Sequence, residues 1–274
     1  MEKIDIHCHT TNRPLPNLLP ESASLEAIGT EMARHGITKT VVLATYFPHR
    51  KSGVSNYRLH VRIAGDARFA LFGSLDFEHY FWQGYNELEE LARDGAIAGV
   101  KLYTGYQRIA LDSPEFAKLT DLVAAHQFPL MFHGGFTYGG PSPFAESNGP
   151  QPHIVVPTAR AYPQIPIIIS HMAKPHLAEL IRTVREHPNV HTDMSGLINS
   201  AHEREEIPAC VADIRKFLGE CGPDRLLFGT DFPVQTHADS ITMIEQAMRE
   251  YAPGDLQKVY AGNARRILRL PERL

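Results

Sequence analysis

The stretch Ile165-Pro166-Ile167-Ile168-Ile169-Ser170 is apolar up to its last residue. This composition is typical of a strand in a parallel sheet whose two faces are both covered, because a strand with one exposed face alternates polar and apolar residues. Seven similar short runs lie along the chain, and successive runs start 25 to 37 residues apart. They cover Ile4–His7, Val41–Thr45, Phe69–Asp76, Ala98–Tyr103, Pro129–His133, Val190–Asp193 and Arg225–Phe228.

Helical segments with recognisable ends lie between these runs. Ser24 precedes a helix over Leu25–Arg34, and Ser113-Pro114 opens a helix over Glu115–His126. Further helices are expected at His176–Glu186, Ile207–Leu218, Ala238–Tyr251 and Leu256–Leu268. Eight strands that alternate with helices predict an α/β protein, a single-domain (β/α)8 TIM barrel over residues 1–274. The alternative, a doubly wound sheet, more often has a glycine-rich first crossover, and none follows the first strand.

Composition narrows the class of protein. The chain has 274 residues, of which 43% are hydrophobic, and a formal net charge of −4. It can therefore form a full core, and it has no basic run that would bind nucleic acid. No apolar stretch approaches the roughly 18 residues of a membrane span. The three cysteines show no CxxC spacing. With the charged start Met1-Glu2-Lys3, these features predict a cytoplasmic protein that binds neither nucleic acid nor membrane.

Residues that can bind metals end several of the predicted strands. The first strand ends in His7-Cys8-His9, and because alternate side chains of a strand share a face, the two histidines are expected to point together into the barrel mouth. His133, His171 and Asp231 end the fifth, sixth and eighth strands. Barrel enzymes place their sites at this carboxyl-terminal face, so the pattern predicts a metal site there.

These motifs resemble the amidohydrolase superfamily. The resemblance rests on His7-Cys8-His9, Gly99-Val100-Lys101-Leu102, His133, Ser170-His171 and Gly229-Thr230-Asp231-Phe232-Pro233, and it runs from residue 4 to about 268. The most similar branch includes aminocarboxymuconate-semialdehyde decarboxylase and many metal-dependent hydrolases. Asp193-Met194-Ser195-Gly196 and Gly262-Asn263-Ala264 also resemble that branch.

The resemblance implies a role for each matching residue. His7, His9, His133 and Asp231 match metal ligands. His171 matches a second-metal ligand in binuclear members and a residue that polarises the substrate carbonyl in mononuclear ones. Lys101 stands where binuclear members carry a carboxylated lysine between two metals; otherwise it contacts substrate. One ion is favoured, and two stay open.

The predicted chemistry is hydrolysis of an amide, ester or lactone in a small molecule. Three imidazoles and a carboxylate suit Zn²⁺, with Fe²⁺ or Mn²⁺ as alternatives. Asp231 is expected to take the proton of the attacking water, and His171 to donate a hydrogen bond to the developing oxyanion. The alternative reaction is non-oxidative decarboxylation of a small aromatic or unsaturated acid. A PHP-type phosphoesterase fits less well, because the late aspartate reads Asp231-Phe232-Pro233 and not Asp-x-His, and a barrel without activity is also considered.

Substrate-binding residues are less sharply defined. Candidates follow the fourth and second predicted strands: Tyr103, Arg108, Arg50 and Tyr57. The cations among them could hold a substrate carboxylate, or they could be solvated loop charges. Asp193 alternates with Ser195, so it either faces the barrel mouth or simply ends its strand. Barrels of this kind often associate, so a homo-oligomer is considered.

Overall fold

The parallel strands follow one another around the barrel in sequence order. The computed structural model describes residues 1–45, 53–137 and 149–271. Within them, eight strands form one sheet ordered β1 to β8. They are β1 Lys3–Cys8, β2 Ile37–Leu43, β3 Phe69–Gly73, β4 Gly99–Leu102, β5 Leu130–Phe132, β6 Ile167–Ile169, β7 Val190–Asp193 and β8 Leu226–Leu227. The Ile6 amide donates to the Phe228 carbonyl at 3.0 Å, and Cys8 bridges to Phe232, which brings the first and last strands together.

Helices connect the strands and cover the outside of the sheet. They are α1 Leu25–His35, α2 Asn56–Ile63, α3 Phe81–Arg93, α4 Pro114–His126, α5 Val156–Ala161, α6 Leu177–Glu186, α7 Ile207–Cys221, α8 His237–Ala247, α9 Pro253–Gln257 and α10 Asn263–Leu268. Ser24 and Ser113 cap α1 and α4, accepting from the amides of Ala27 and Phe116 at 3.1 Å. The predicted TIM barrel is therefore confirmed. No helix within the described residues is long and apolar enough to cross a bilayer.

The structure refines some predicted elements. It adds α2, α3 and the short α5, to which the sequence analysis assigned no helix. The helix expected over Leu256–Leu268 is divided into α9, a π-helical turn at Lys258–Gly262, and α10.

The strands lie between two apolar layers, one outside the barrel and one inside it. The larger lies between strands and outer helices. The smaller fills the barrel with one or two side chains from most strands, and it includes Ala261, Ala264 and Ile267 from the carboxyl-terminal segment. Because these three residues pack against Ile4 and Ile6 at the start of the chain, the last helix covers the end of the barrel opposite the strand carboxyl ends. The other end, where the carboxyl ends of the strands lie, is left open for the site.

Candidate active site

A cleft opens at the carboxyl ends of the strands. The loop after β1 contributes Leu15 and Leu18 to its wall. The floor contains the side chains that the sequence analysis singled out. Its lining includes His7, His9, Thr10, Thr11, Thr45, Lys101, Tyr103, Tyr106, His133, Phe136, His171 and Asp231.

The structure brings His7, His9 and Asp231 together. Asp231 Oδ1 lies 3.4 Å from His7 Nε2 and 3.2 Å from His9 Nε2. His7 Nε2 is buried, yet it makes no hydrogen bond to any described residue. Two imidazole nitrogens and a carboxylate oxygen within 4.8 Å of one another form a donor set that suits a divalent cation. The unpaired buried nitrogen indicates that the set is built for such an ion.

An irregularity in β1 places His7 in the cleft. Ile4 and Ile6 point into the barrel interior, so strict alternation would turn His7 outward. The register of β1 against β2 shifts between Asp5 and Cys8, and a bulge of this kind re-aims the side chains beside it. His7 and His9 therefore face the cleft, whereas buried Cys8 packs in the outer core.

Asp193 orients His7 from behind. Its Oδ2 accepts from His7 Nδ1 at 3.0 Å, and its Oδ1 accepts from the His171 amide at 2.9 Å and from the Ser195 hydroxyl at 2.5 Å. A protonated Nδ1 leaves His7 Nε2 with a free lone pair, as a metal ligand requires. Asp193 therefore does more than end its strand: it contacts His7, His171 and Ser195 from beneath the cleft lining.

His171 enters the cleft from a turn after β6 with left-handed backbone. His171, Met172 and Ala173 have φ values of 61°, 48° and 49°, a conformation that non-glycine residues rarely adopt. His171 Nδ1 lies 2.9 Å from the Ser195 carbonyl oxygen and 3.0 Å from the Ser195 hydroxyl oxygen. A carbonyl oxygen only accepts, so Nδ1 carries the proton in this bond.

His133 also lines the cleft but lies outside the group formed by His7, His9 and Asp231. Its Nε2 donates to the Phe136 carbonyl at 2.9 Å, and its ring centroid lies 4.9 Å from that of His171. The strand-five histidine therefore neighbours His171 and has its Nε2 engaged by backbone.

Lys101 lies on the cleft floor with its side chain fully buried. Its Nζ donates to Ser170 Oγ at 2.6 Å and lies 5.7 Å from the centre of the Tyr103 ring.

Of the four candidate substrate-binding residues, only Tyr103 is found among the described residues that line the cleft. Tyr103 lines the cleft, and its hydroxyl donates to the Ala44 carbonyl at 2.8 Å. Arg108 is exposed and is not part of the lining. Tyr57 lies on the outer surface of α2, where its hydroxyl donates to Glu90, and it is not part of the cleft lining. Arg50 lies outside the described residues.

Burial and charge set the protonation states of the site. Burial, reinforced by the Lys101 charge, lowers the pKa of His7 to about 3, so this imidazole is neutral. Burial lowers the pKa of Lys101 to about 8, which keeps it mostly protonated at pH 7. Burial alone would raise the pKa of Asp231, but the His9 hydrogen bond and neighbouring charges outweigh it and hold that pKa below its usual range. Neutral imidazoles beside an ionised carboxylate are the forms that bind a metal ion.

The same balance holds at Asp193. Burial would raise its pKa, but the interaction with His7 and the hydrogen bond from its ring, together with His171 and Lys101, lower that pKa below its usual range. Two ionised carboxylates against one ammonium leave the buried floor negative, which favours a cation there.

Comparison with known proteins decides the family. Residues 4–270 match the sequence profile of the amidohydrolase family. The chain belongs to the amidohydrolase family. As the resemblance of its motifs predicted, it is an enzyme of that superfamily.

Individual relatives of this amidohydrolase are distant in sequence. It is 26% identical over 261 residues to an L-fucono-1,5-lactonase of Burkholderia ambifaria, covering 87% of this chain and 82% of the relative. A zinc-bound amidohydrolase of Burkholderia multivorans superimposes with a TM-score of 0.72 at 16% identity, covering 99% of this chain and 100% of that one. A Rhizobium 2,6-dihydroxybenzoate decarboxylase gives 0.71 at 17% identity, covering 98% and 99%. The two structures share the barrel fold with this amidohydrolase.

Proposed function

We propose that this amidohydrolase hydrolyses a small lactone with the help of a divalent cation, zinc first among the candidates. The observation that carries the proposal is the donor set of His7, His9 and Asp231, with the unpaired nitrogen of His7 at its centre. His133 and His171 stand beside it as candidates for further ligation. The zinc-bound relative from B. multivorans supports the choice of ion.

A lactone is the preferred substrate class for two reasons. A relative matched over most of both chains is an L-fucono-1,5-lactonase. The cleft wall combines the hydroxyl groups of Thr10, Thr11 and Thr45 with apolar Leu15 and Leu18, which suits a small polyhydroxylated ring with an apolar edge.

The reaction divides between the cation and the residues of the chain. A divalent cation supplies a Lewis acid that makes water a nucleophile near neutral pH. Asp231 takes a proton from the attacking water while the water oxygen forms a bond to the lactone carbonyl carbon. Asp231 returns that proton to the ring oxygen when the ring C–O bond breaks, which releases a hydroxy acid. Asp193 holds His7 in the required tautomer throughout.

The test is a panel of 1,4- and 1,5-lactones assayed by proton release with zinc-loaded protein. We expect hydrolysis, one ¹⁸O from labelled water in the product carboxylate, and loss of zinc and activity in the double variant His7→Ala/His9→Ala. The control His60→Ala/His126→Ala removes two imidazoles from α2 and α4, outside the cleft, and should keep both. Carbon dioxide release from aromatic acids without lactone hydrolysis would support the decarboxylase instead.

A further inference from the structure

We propose that Lys101 acts as an uncarboxylated ammonium group that donates to the lactone carbonyl oxygen as it becomes an oxyanion, a role that His171 does not fill. This inference rests on the proposed lactone hydrolysis. It assigns Lys101 a catalytic role and changes the role expected of His171.

The surroundings of Lys101 leave part of its hydrogen-bonding capacity unused. The side chain is fully buried, and its Nζ donates to Ser170 Oγ at 2.6 Å. No carboxylate oxygen within the described part of the chain lies within 4.0 Å of this nitrogen. An ammonium group has three N–H donors, and a buried charge without a counterion is costly. Since Lys101 lines the cleft, its remaining donors are available to a substrate oxygen.

The hydrogen bonds of His171 prevent it from donating to the same oxygen. Its Nδ1 proton points to the Ser195 carbonyl, 2.9 Å away. The Ser195 hydroxyl gives its own proton to Asp193 Oδ1, at 2.5 Å, and so can only accept from His171. A neutral imidazole carries one proton, so His171 Nε2 presents a lone pair to the cleft. That atom can accept a proton or bind a cation, but it has no hydrogen to give to an oxyanion.

Charge balance favours the ammonium form of Lys101 over a carbamate. Asp193 and Asp231 already place two carboxylates in the buried floor. A carbamate on Lys101 would add a third negative charge and remove the one positive charge that the described floor residues supply. The ammonium form offsets one carboxylate and aims its donors where negative charge develops during hydrolysis, the arrangement of an oxyanion-binding group.

The test compares wild-type protein with Lys101→Met, which keeps an unbranched side chain one atom shorter and removes its charge. We expect unchanged zinc content, kcat lowered by about 100- to 1000-fold and KM changed less than threefold, the effect of losing one oxyanion donor. Lys101→Gln, a second variant in case the first fails to fold, should show the same loss. Ser170→Ala, which removes the partner and keeps the ammonium, should lose less than tenfold.

Two further measurements do not depend on turnover. Calorimetric titration of the zinc-loaded protein with gluconate, a hydroxy acid of the product class, should give a Kd at least tenfold higher for Lys101→Met than for wild type. After incubation with ¹³C-bicarbonate, the wild-type spectrum should lack a lysine carbamate signal.

Three results would overturn the inference: a carbamate signal, the loss of one of two bound metal ions in Lys101→Met, or unchanged kcat and gluconate binding in that variant. A wild-type protein that hydrolyses no lactone would instead overturn the proposed function. In that case the gluconate and carbamate measurements still decide the state and binding role of Lys101.

Discussion

Asp193 shows how one buried side chain organises several others. It accepts from the His7 ring, the His171 amide and the Ser195 hydroxyl, so it ties together β1, the turn after β6 and the end of β7. Each of these donors needs an acceptor at that position. An amide in place of the carboxylate would set an NH₂ group against at least one of them.

Asp193→Asn is therefore expected to weaken zinc binding by about 10- to 100-fold, the usual effect of losing a group that orients a ligand. Competition with a chromogenic chelator measures the zinc affinity. Asp76→Asn is the matched control, because Asp76 is also buried and accepts from the backbone amides of Glu78 and His79, but outside the cleft. Equal zinc affinity in wild type and Asp193→Asn would contradict the orienting role.

His191, near the start of β7, predicts a pH dependence of stability. Burial, together with the charges of Arg225 and Arg266, lowers its pKa from 6.5 to about 4. The unfolded chain therefore takes up a proton at a pH where the folded protein does not. Neutral His191 therefore contributes fully to the free energy of unfolding above pH 6.5. This contribution is lost as the pH falls from 6.5 to about 4. Between pH 7.5 and pH 5 this group alone costs about 2 kcal/mol of unfolding free energy.

Urea unfolding of wild type and His191→Gln at these two pH values measures this contribution. The variant should lose about 2 kcal/mol less on acidification than wild type does. His126→Gln is the control, because this exposed residue at the end of α4 should leave the pH dependence unchanged. Parallel pH profiles for wild type and His191→Gln would count against a neutral buried His191.

At the scale of elements, the loop after β7 and the loop after β8 approach each other closely at Gly196. Gly196 has φ of 56°, and a Cβ there would lie 2.6 Å from Asp231 Oδ2 and 2.9 Å from His171 Nδ1. Glycine is needed here for two independent reasons: the left-handed backbone and the space that two site residues occupy.

Comparison of Gly196→Ala with Gly95→Ala separates the effect of backbone strain from the effect of the steric clash. Gly95, between α3 and β4, has φ of 66°, and nothing lies within 4 Å of its would-be Cβ. Each substitution should cost about 1 kcal/mol of unfolding free energy from backbone strain. Only Gly196→Ala should also lower zinc affinity and turnover, because it displaces Asp231 or His171. Zinc titration of both variants checks this, and equal zinc affinity in the two would show that the loops can adjust.

At the scale of the whole molecule, stability and activity are built at opposite ends of the barrel. Ile267 on α10 is buried in the interior cluster with Ile4, Ile6, Ala261 and Ala264. The metal-ligand candidates lie at the carboxyl ends of the strands. Packing at one end should therefore be separable from chemistry at the other.

Ile267→Ala is expected to reduce the unfolding free energy by about 3 kcal/mol, because it leaves a cavity in a packed interior. The kcat/KM of the folded enzyme should stay within twofold of wild type. Urea denaturation and steady-state kinetics below the unfolding transition measure the two quantities. Val61→Ala, at an exposed position of α2, is the control and should change neither. A large fall in kcat/KM in Ile267→Ala would show that the two ends are coupled.

The order and the parallel, buried character of the strands follow from the sequence. Strands of a buried parallel sheet are rich in apolar and β-branched residues, so each of the eight runs could be recognised from its local sequence. The polar residues that end these runs could also be identified from the sequence, and the barrel topology brings the ends of the strands to one face. Helices α2, α3 and α5 were missed, because sequence patterns identify helices less directly than they identify such runs.

How the site residues contact one another depends on the folded structure. The register shift in β1 turns His7 towards the cleft. The hydrogen bond to the Ser195 carbonyl sets which nitrogen of His171 is protonated. Asp193 contacts residues 22 and 186 positions away in the chain. Tyr57, beside the cleft by sequence position, lies on the outside of α2. Strand identity follows from the local pattern of apolar residues, whereas tautomers, orientations and exposure follow from hydrogen bonds between distant segments, which the local pattern does not contain.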